Sequence, residues 1–124
     1  MANPNIVSVA SIYGKTAYVA DVGTTSSGIV INSASSGKIL KINSLIIANI
    51  DGTNSADITV TLRNAAGSST YSTLASTIAV PNDATLVVIS KDTAIYLEED
   101  MSLHVQASPT GDLAATCSYE EISE

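Results

Sequence analysis

The chain is organised around the stretch from Lys38 to Ile50, KILKINSLIIANI, whose density of β-branched residues and regular alternation predict a strand, not a helix. On a pleat, Leu40, Ile42, Ser44, Ile46, Ala48 and Ile50 share one face, and Ile39, Lys41, Asn43, Leu45, Ile47 and Asn49 share the other. The first set is nearly all apolar. The second is polar at Lys41, Asn43 and Asn49 but holds Leu45 and Ile47 in its middle, so a mid-sheet strand covered on both faces is expected.

The same reading extends in both directions. Met1 to Asn5 shows no packing pattern and reads as an arm. From Ile6 to Ala20 the pattern is weak, and with Gly14 inside it two short strands or one extended segment fit equally. A loop, Gly23 to Gly28, precedes the short strand GIVIN, which ends at Asn32 to Gly37. Beyond Asp51-Gly52, a turn signal, Asp57 to Arg63 (DITVTLR) alternates cleanly, with Ile58, Val60 and Leu62 inward and one face in water. Tyr71 to Val80, Ala84 to Lys91, Ile95 to Leu97, Met101 to Ala107 and Leu113 to Ile122 complete the strands, divided by Pro81-Asn82-Asp83, the acidic turn Glu98-Glu99-Asp100, and Pro109 to Asp112.

About eight or nine short strands with turn signals between them and no helix-period segment predict an all-β fold, an antiparallel β-sandwich or jelly roll. Residues 1–20 form an N-terminal arm or edge-strand segment and residues 21–124 the sandwich. The expected core holds Ile42, Ile46, Ile58, Val60, Leu62, Val87, Leu103 and Val105.

Composition then narrows the partners. The 124 residues suit one domain that needs no staple, and the absence of Phe and Trp leaves the core to Val, Ile, Leu and Ala. Only 14% of residues are charged and Ser plus Thr fill about a quarter of positions, so the surface is kept in solution largely by hydroxyls, which suits an assembled protein. A net charge of -7 with five scattered Lys and Arg argues against nucleic acid as a partner. The start, MANPNIVSVASIYG, has neither the basic nor the sustained apolar part of a signal peptide or anchor, so no membrane association is expected.

Candidate chemistry is sparse. His104 is the sole histidine and Cys117 the sole cysteine, so any Ser-His-Asp or Cys-His arrangement must use His104. Alternation places His104 outward, towards solvent or an interface, and Cys117 inward with Leu113, Ala115 and Tyr119 as a free structural thiol. The two should face opposite ways. Too few N and S ligands exist for zinc. Calcium has two candidate places, Asp51 with Asn54 and Asp57, and Glu98 to Asp100, neither with EF-hand spacing; a hairpin turn and a solvated acidic corner are the simpler readings. Gly23, Gly28 and Gly111 lack the helix or Lys-Ser/Thr of a phosphate loop, and the five tyrosines show no stacking platform for sugar or base. No catalytic, cofactor-binding or metal-binding residue is assigned, and no cofactor is expected.

KILKINSLIIANID (Lys38 to Asp51), DITVTLR (Asp57 to Arg63), Ser76 to Ser108 and CSYEEIS (Cys117 to Ser123), in that order, resemble small β-sandwich virion proteins of tailed bacteriophages, particularly those infecting cyanobacteria and other marine bacteria. Such proteins usually have Gly in the acidic turn, where this chain has Glu99-Asp100-Met101. The resemblance implies a non-enzymatic structural protein located in the virion and made in the host cytoplasm. It would be a capsid decoration (cement) protein, or alternatively a neck, tail or fibre module that binds another virion protein or a host-surface carbohydrate. Its partners would be other virion proteins, the major capsid protein or a neck or tail protein. A homo-oligomer is expected from the charge-poor surface, with Ala2 to Ala20 as the exchanged element; a trimer is what the resemblance implies.

Overall fold

The computed structural model describes residues 4–124, and the first three residues of the expected arm lie outside them. Nine strands follow in order: β1 (Ser11–Val19), β2 (Ser27–Asn32), β3 (Lys38–Asn49), β4 (Ala56–Arg63), β5 (Thr70–Val80), β6 (Thr85–Ile89), β7 (Ile95–Leu97), β8 (Met101–Ser108) and β9 (Leu113–Ser123). They form two sheets with every pairing antiparallel. The first runs β1-β9-β3-β6 with β7 also on β3, and the second runs β2-β8-β4-β5. β6 and β7 line the same side of β3, one on Leu45 to Ala48 and the other on Leu40 to Ile42, so they act as one strand interrupted by the 3-10 turn Lys91–Thr93. Counted that way, each sheet has four strands, and the chain crosses between the sheets in a jelly roll.

β3 sits in mid-sheet, between β9 and the β6–β7 edge, but it is not covered on both faces as its two apolar sets suggested. Pairing with β9 steps from Ile42↔Tyr119 to Ser44↔Ser118 and leaves Asn43 unpaired in a β-bulge. One extra residue reverses the alternation. Leu40 and Ile42 point into the core before the bulge; after it Leu45, Ile47 and Asn49 do, all buried. Ile46, expected inside, is 37% exposed, and Val87, opposite it on β6, is 56% exposed. The expected interior position of both residues is thereby corrected.

The remaining expected core residues lie inside. Ile42, Ile58, Val60, Leu103 and Val105 are fully buried, together with Leu45, Ile47, Leu113 and Cys117, while Leu62 is partly buried against them. Each large aliphatic side chain so placed stabilises the fold by about 1.5–3 kcal/mol. Pure aliphatic packing has no direction, and two buried asparagines supply it. Asn49 on β3 donates to Val80 O at 2.9 Å and Asn54 O at 3.0 Å, reaching the second sheet, and accepts from Asp51 N at 2.8 Å. Asn32 on β2 donates the other way, to Leu97 O at 2.9 Å and Lys38 O at 3.0 Å in or beside the first sheet. These clasps sit at opposite ends of β3 and hold the two sheets in register.

At the N-terminus, Ser11–Val19 is one extended strand, and Gly14 does not divide it but faces Glu120. It takes the edge position of the first sheet, hydrogen-bonded to β9.

Val60→Asp places a carboxylate at a fully buried site with no partner and should leave the chain unfolded or aggregated, checked by far-UV circular dichroism and solubility. Asn49→Ala should leave the carbonyls of Val80 and Asn54 without their donor and cost about 1–3 kcal/mol in denaturant unfolding, with the slope on denaturant unchanged.

Candidate functional site

The two reactive side chains lie on different sheets. Cys117 faces the core from β9, beside Leu45 and Ala17, and burial pushes its thiol up to about 12, so it is a free but unreactive thiol. His104 stands on β8 opposite Thr61, on the outer face of the second sheet, as alternation placed it. It does not meet solvent, however. The loop between β4 and β5, residues 64–69, folds back over that face, and His104 is only 7% exposed.

That cover depends on glycine. A Cβ on Gly67, which has φ +78°, would lie 2.8 Å from His104 Cε1, and one on Gly28 would lie 3.4 Å from Nε2 and 3.0 Å from Ile31 Cδ1. The loop is pinned by Ser102 Oγ donating to Asn64 O at 2.7 Å, by Ala65 N donating to Asp100 Oδ1 at 3.1 Å, and by Arg63 Nη1 donating to Gly67 O at 3.2 Å. Asp100 takes φ +62°, a left-handed conformation that glycine adopts more readily than residues with a side chain. Sequence alternation alone could not have anticipated the burial of His104, Thr61 and Ser102, because the covering loop is placed by tertiary contacts.

The structure also brings Ser26 to His104, a pair that sequence reasoning missed. Ser26 Oγ lies 3.2 Å from Nδ1, while Nε2 is buried with no hydrogen-bond partner among the described residues. A nucleophile and base at this distance need a third group to orient the ring and donors for a developing oxyanion. Neither is at hand here: Nε2 faces Gly67, and the described residues enclose no pocket. Burial, and after it the Arg63 charge, hold the imidazole below its ordinary 6.5, so it is neutral at pH 7.

The calcium candidates do not assemble. Asp51 Oδ1 accepts from Thr53 N at 2.8 Å and Asn54 N at 3.3 Å, and Oδ2 accepts from Asn54 Nδ2 at 3.1 Å; these bonds, led by the one from Thr53, hold its carboxyl below the usual range in a closed turn. Asp57 is committed to β4. In the second cluster Asp100 caps Ala65, and both Glu99 carboxylate oxygens are buried without a hydrogen-bond partner among the described residues. A third acidic corner, invisible in sequence, joins Asp21, Asp51 and Asp112 from three loops; desolvation, then the Asp51 and Asp21 charges, raise the Asp112 carboxyl. None of these carboxylate groups is placed so that three side chains could hold one metal ion among the described residues.

The outer face of the first sheet is different in character. Tyr18, Ile46 and Val87 lie in one cross-strand row, Ile12 and Tyr96 stand further along the same face, and all five are exposed. Lys41 and Glu120 face each other on this side and balance in charge.

No protein-family model matches the chain, and no curated protein matches it. Among solved structures, a chain of Bacillus endospore appendages, described as forming a novel family of disulfide-linked pili, is similar with a TM-score of 0.52 at 10% identity, over 91% of this chain and 88% of that chain. The likeness is one of fold.

The stability contributed by neutral His104 should be complete only well above pH 6.5, where the unfolded imidazole is also neutral. It should fall as pH drops below that value, because the unfolded chain then binds a proton that the folded one does not. Denaturant unfolding between about pH 7 and 5.5 should lose stability with a slope of up to about 1.4 kcal/mol per pH unit from this group, and His104→Gln should flatten it.

Proposed function

We propose that this chain is a non-enzymatic structural subunit of a tailed-bacteriophage virion, most specifically a capsid decoration protein that works by protein-protein contact. The observation that carries the reading is the exposed apolar row Tyr18, Ile46 and Val87 on a charge-balanced sheet face, in a chain whose net charge is -7. An apolar patch of that kind on an acidic protein suits burial against another protein surface, and repeated copies on a particle would cover it. The ordered resemblance of Lys38 to Asp51, Asp57 to Arg63 and Ser76 to Ser108 to phage β-sandwich proteins supports the same reading, with other virion proteins as partners and the virion as location. Self-association belongs to the proposal, as a homo-oligomer.

A second reading, a subunit of a self-assembling surface appendage, is favoured by the fold likeness to the endospore appendage chain. Its assembly would have to differ in one respect. The single thiol of this sequence is buried between the sheets, so Cys117 cannot link subunits while the sandwich is folded.

Recombinant protein added to particles that lack it should bind saturably, and gold labelling in electron microscopy should place it on the capsid shell. His104→Ala and Cys117→Ser should bind as the natural chain does. Labelling confined to neck, tail or fibres would move the chain to that part of the virion, and filaments formed by the protein alone would favour the appendage reading. A hydrolytic activity lost in His104→Ala would overturn the structural assignment.

A further inference from the structure

The two sheets leave four free edges: β1 and β6–β7 on the first, β2 and β5 on the second. A free edge is a template for another strand, and three of these four are blunted. β5 slips register three times against β4 and turns through a positive φ of 46° at Thr77. β2 has six residues and a register shift between Gly28 and Val30. The third edge is cut into pieces of five and three residues by the turn Lys91–Thr93.

β1 is built differently. It runs for nine residues in unbroken register with β9, contains no Pro, and is rich in residues that favour strands: Ile12, Tyr13, Thr16, Tyr18 and Val19. Its one charged residue, Lys15, is drawn back on to Glu121 of the neighbouring strand at 3.3 Å and does not guard the edge. Among the described residues its backbone pairs with β9 and with no other strand.

We propose that β1 is a self-pairing edge, and that two copies of the chain join β1 to β1, antiparallel about a twofold axis, so that the first sheet continues from one copy into the other. The occupant follows from the edges themselves. Strand addition needs a long regular edge on both sides, and among the described residues only a second β1 supplies one. A twofold normal to the sheet keeps the outer faces together, so even-numbered residues meet even-numbered ones. With the axis at Thr16, Tyr18 of each copy covers Gly14 of the other, and Lys15 lies opposite Ala17 instead of a second Lys15. Tyr18, now 74% exposed, gains cover in that register. Pairing uses up both open edges, so growth along this sheet stops at two copies. The inference supplies a pairwise element to the homo-oligomer of the proposed reading but does not need the virion assignment.

The test uses the full chain alone, with sedimentation velocity and cross-linking. Thr16→Cys, treated with a mild oxidant or a short bis-maleimide, should give a covalent dimer, while Thr85→Cys on β6 should not; the natural Cys117 is buried and should stay silent. The double variant Thr16→Lys with Tyr18→Lys alters two exposed side chains, should keep its far-UV spectrum, and should sediment as a monomer where the natural chain sediments as a dimer. A natural chain that stays monomeric at its highest soluble concentration overturns the proposal, as does a dimer that survives the double variant or cross-links equally through Thr85→Cys. A chain that pairs through β1 yet binds no particle counts against the virion reading alone; a strictly monomeric chain that decorates particles does the reverse.

Discussion

One unpaired residue in the central strand sets the interior of this protein. Asn43 bulges out of the β3–β9 ladder, and the alternation of β3 reverses there, so Leu40 and Ile42 enter the core from one phase and Leu45 and Ile47 from the other. Without that step, either the first pair or the second would face outward, and half the cover for Ile58, Val60, Leu103 and Val105 on the facing sheet would be lost. The bulge is held by Asn43 Nδ2 donating to Glu120 Oε2 at 2.8 Å, on the strand from which the register slips. The Asn32 and Asn49 clasps then fix where the two sheets meet.

From the same bulge comes the asymmetry between the outer faces. Reversal puts Ile46 outward beside Thr116, with Val87 and Tyr18 in the same row, and gives the first sheet an apolar exterior. The second sheet is covered by its own chain: residues 64–69 lie over Thr61 and His104, with Gly67 giving the close approach that a side chain would prevent. One face is thus available to a partner and the other is closed by hydrogen bonds to Ser102 and Asp100. The only histidine serves the closed face and the only cysteine the core, which leaves both away from the surface where association would occur.

The sequence by itself determined the class of fold and nearly all of its strands, because alternation and turn chemistry are local. The cleanest case is Asp57 to Arg63, where Ile58 and Val60 are buried as the pattern required. Local information also placed His104 and Cys117 on opposed faces. It could not detect the bulge at Asn43, since the extra residue is defined only against β9, some seventy residues later, and an uninterrupted alternation reads Ile46 as interior. It could not bury His104, because the loop that covers it packs through tertiary contacts at Gly67 and Gly28. It could not gather Asp21, Asp51 and Asp112, whose loops meet only when the jelly roll closes. Which edge is left open was likewise decided by the fold: Ile12 to Val19 is a weak pattern in sequence, and its regularity exists only as pairing with the last strand of the chain.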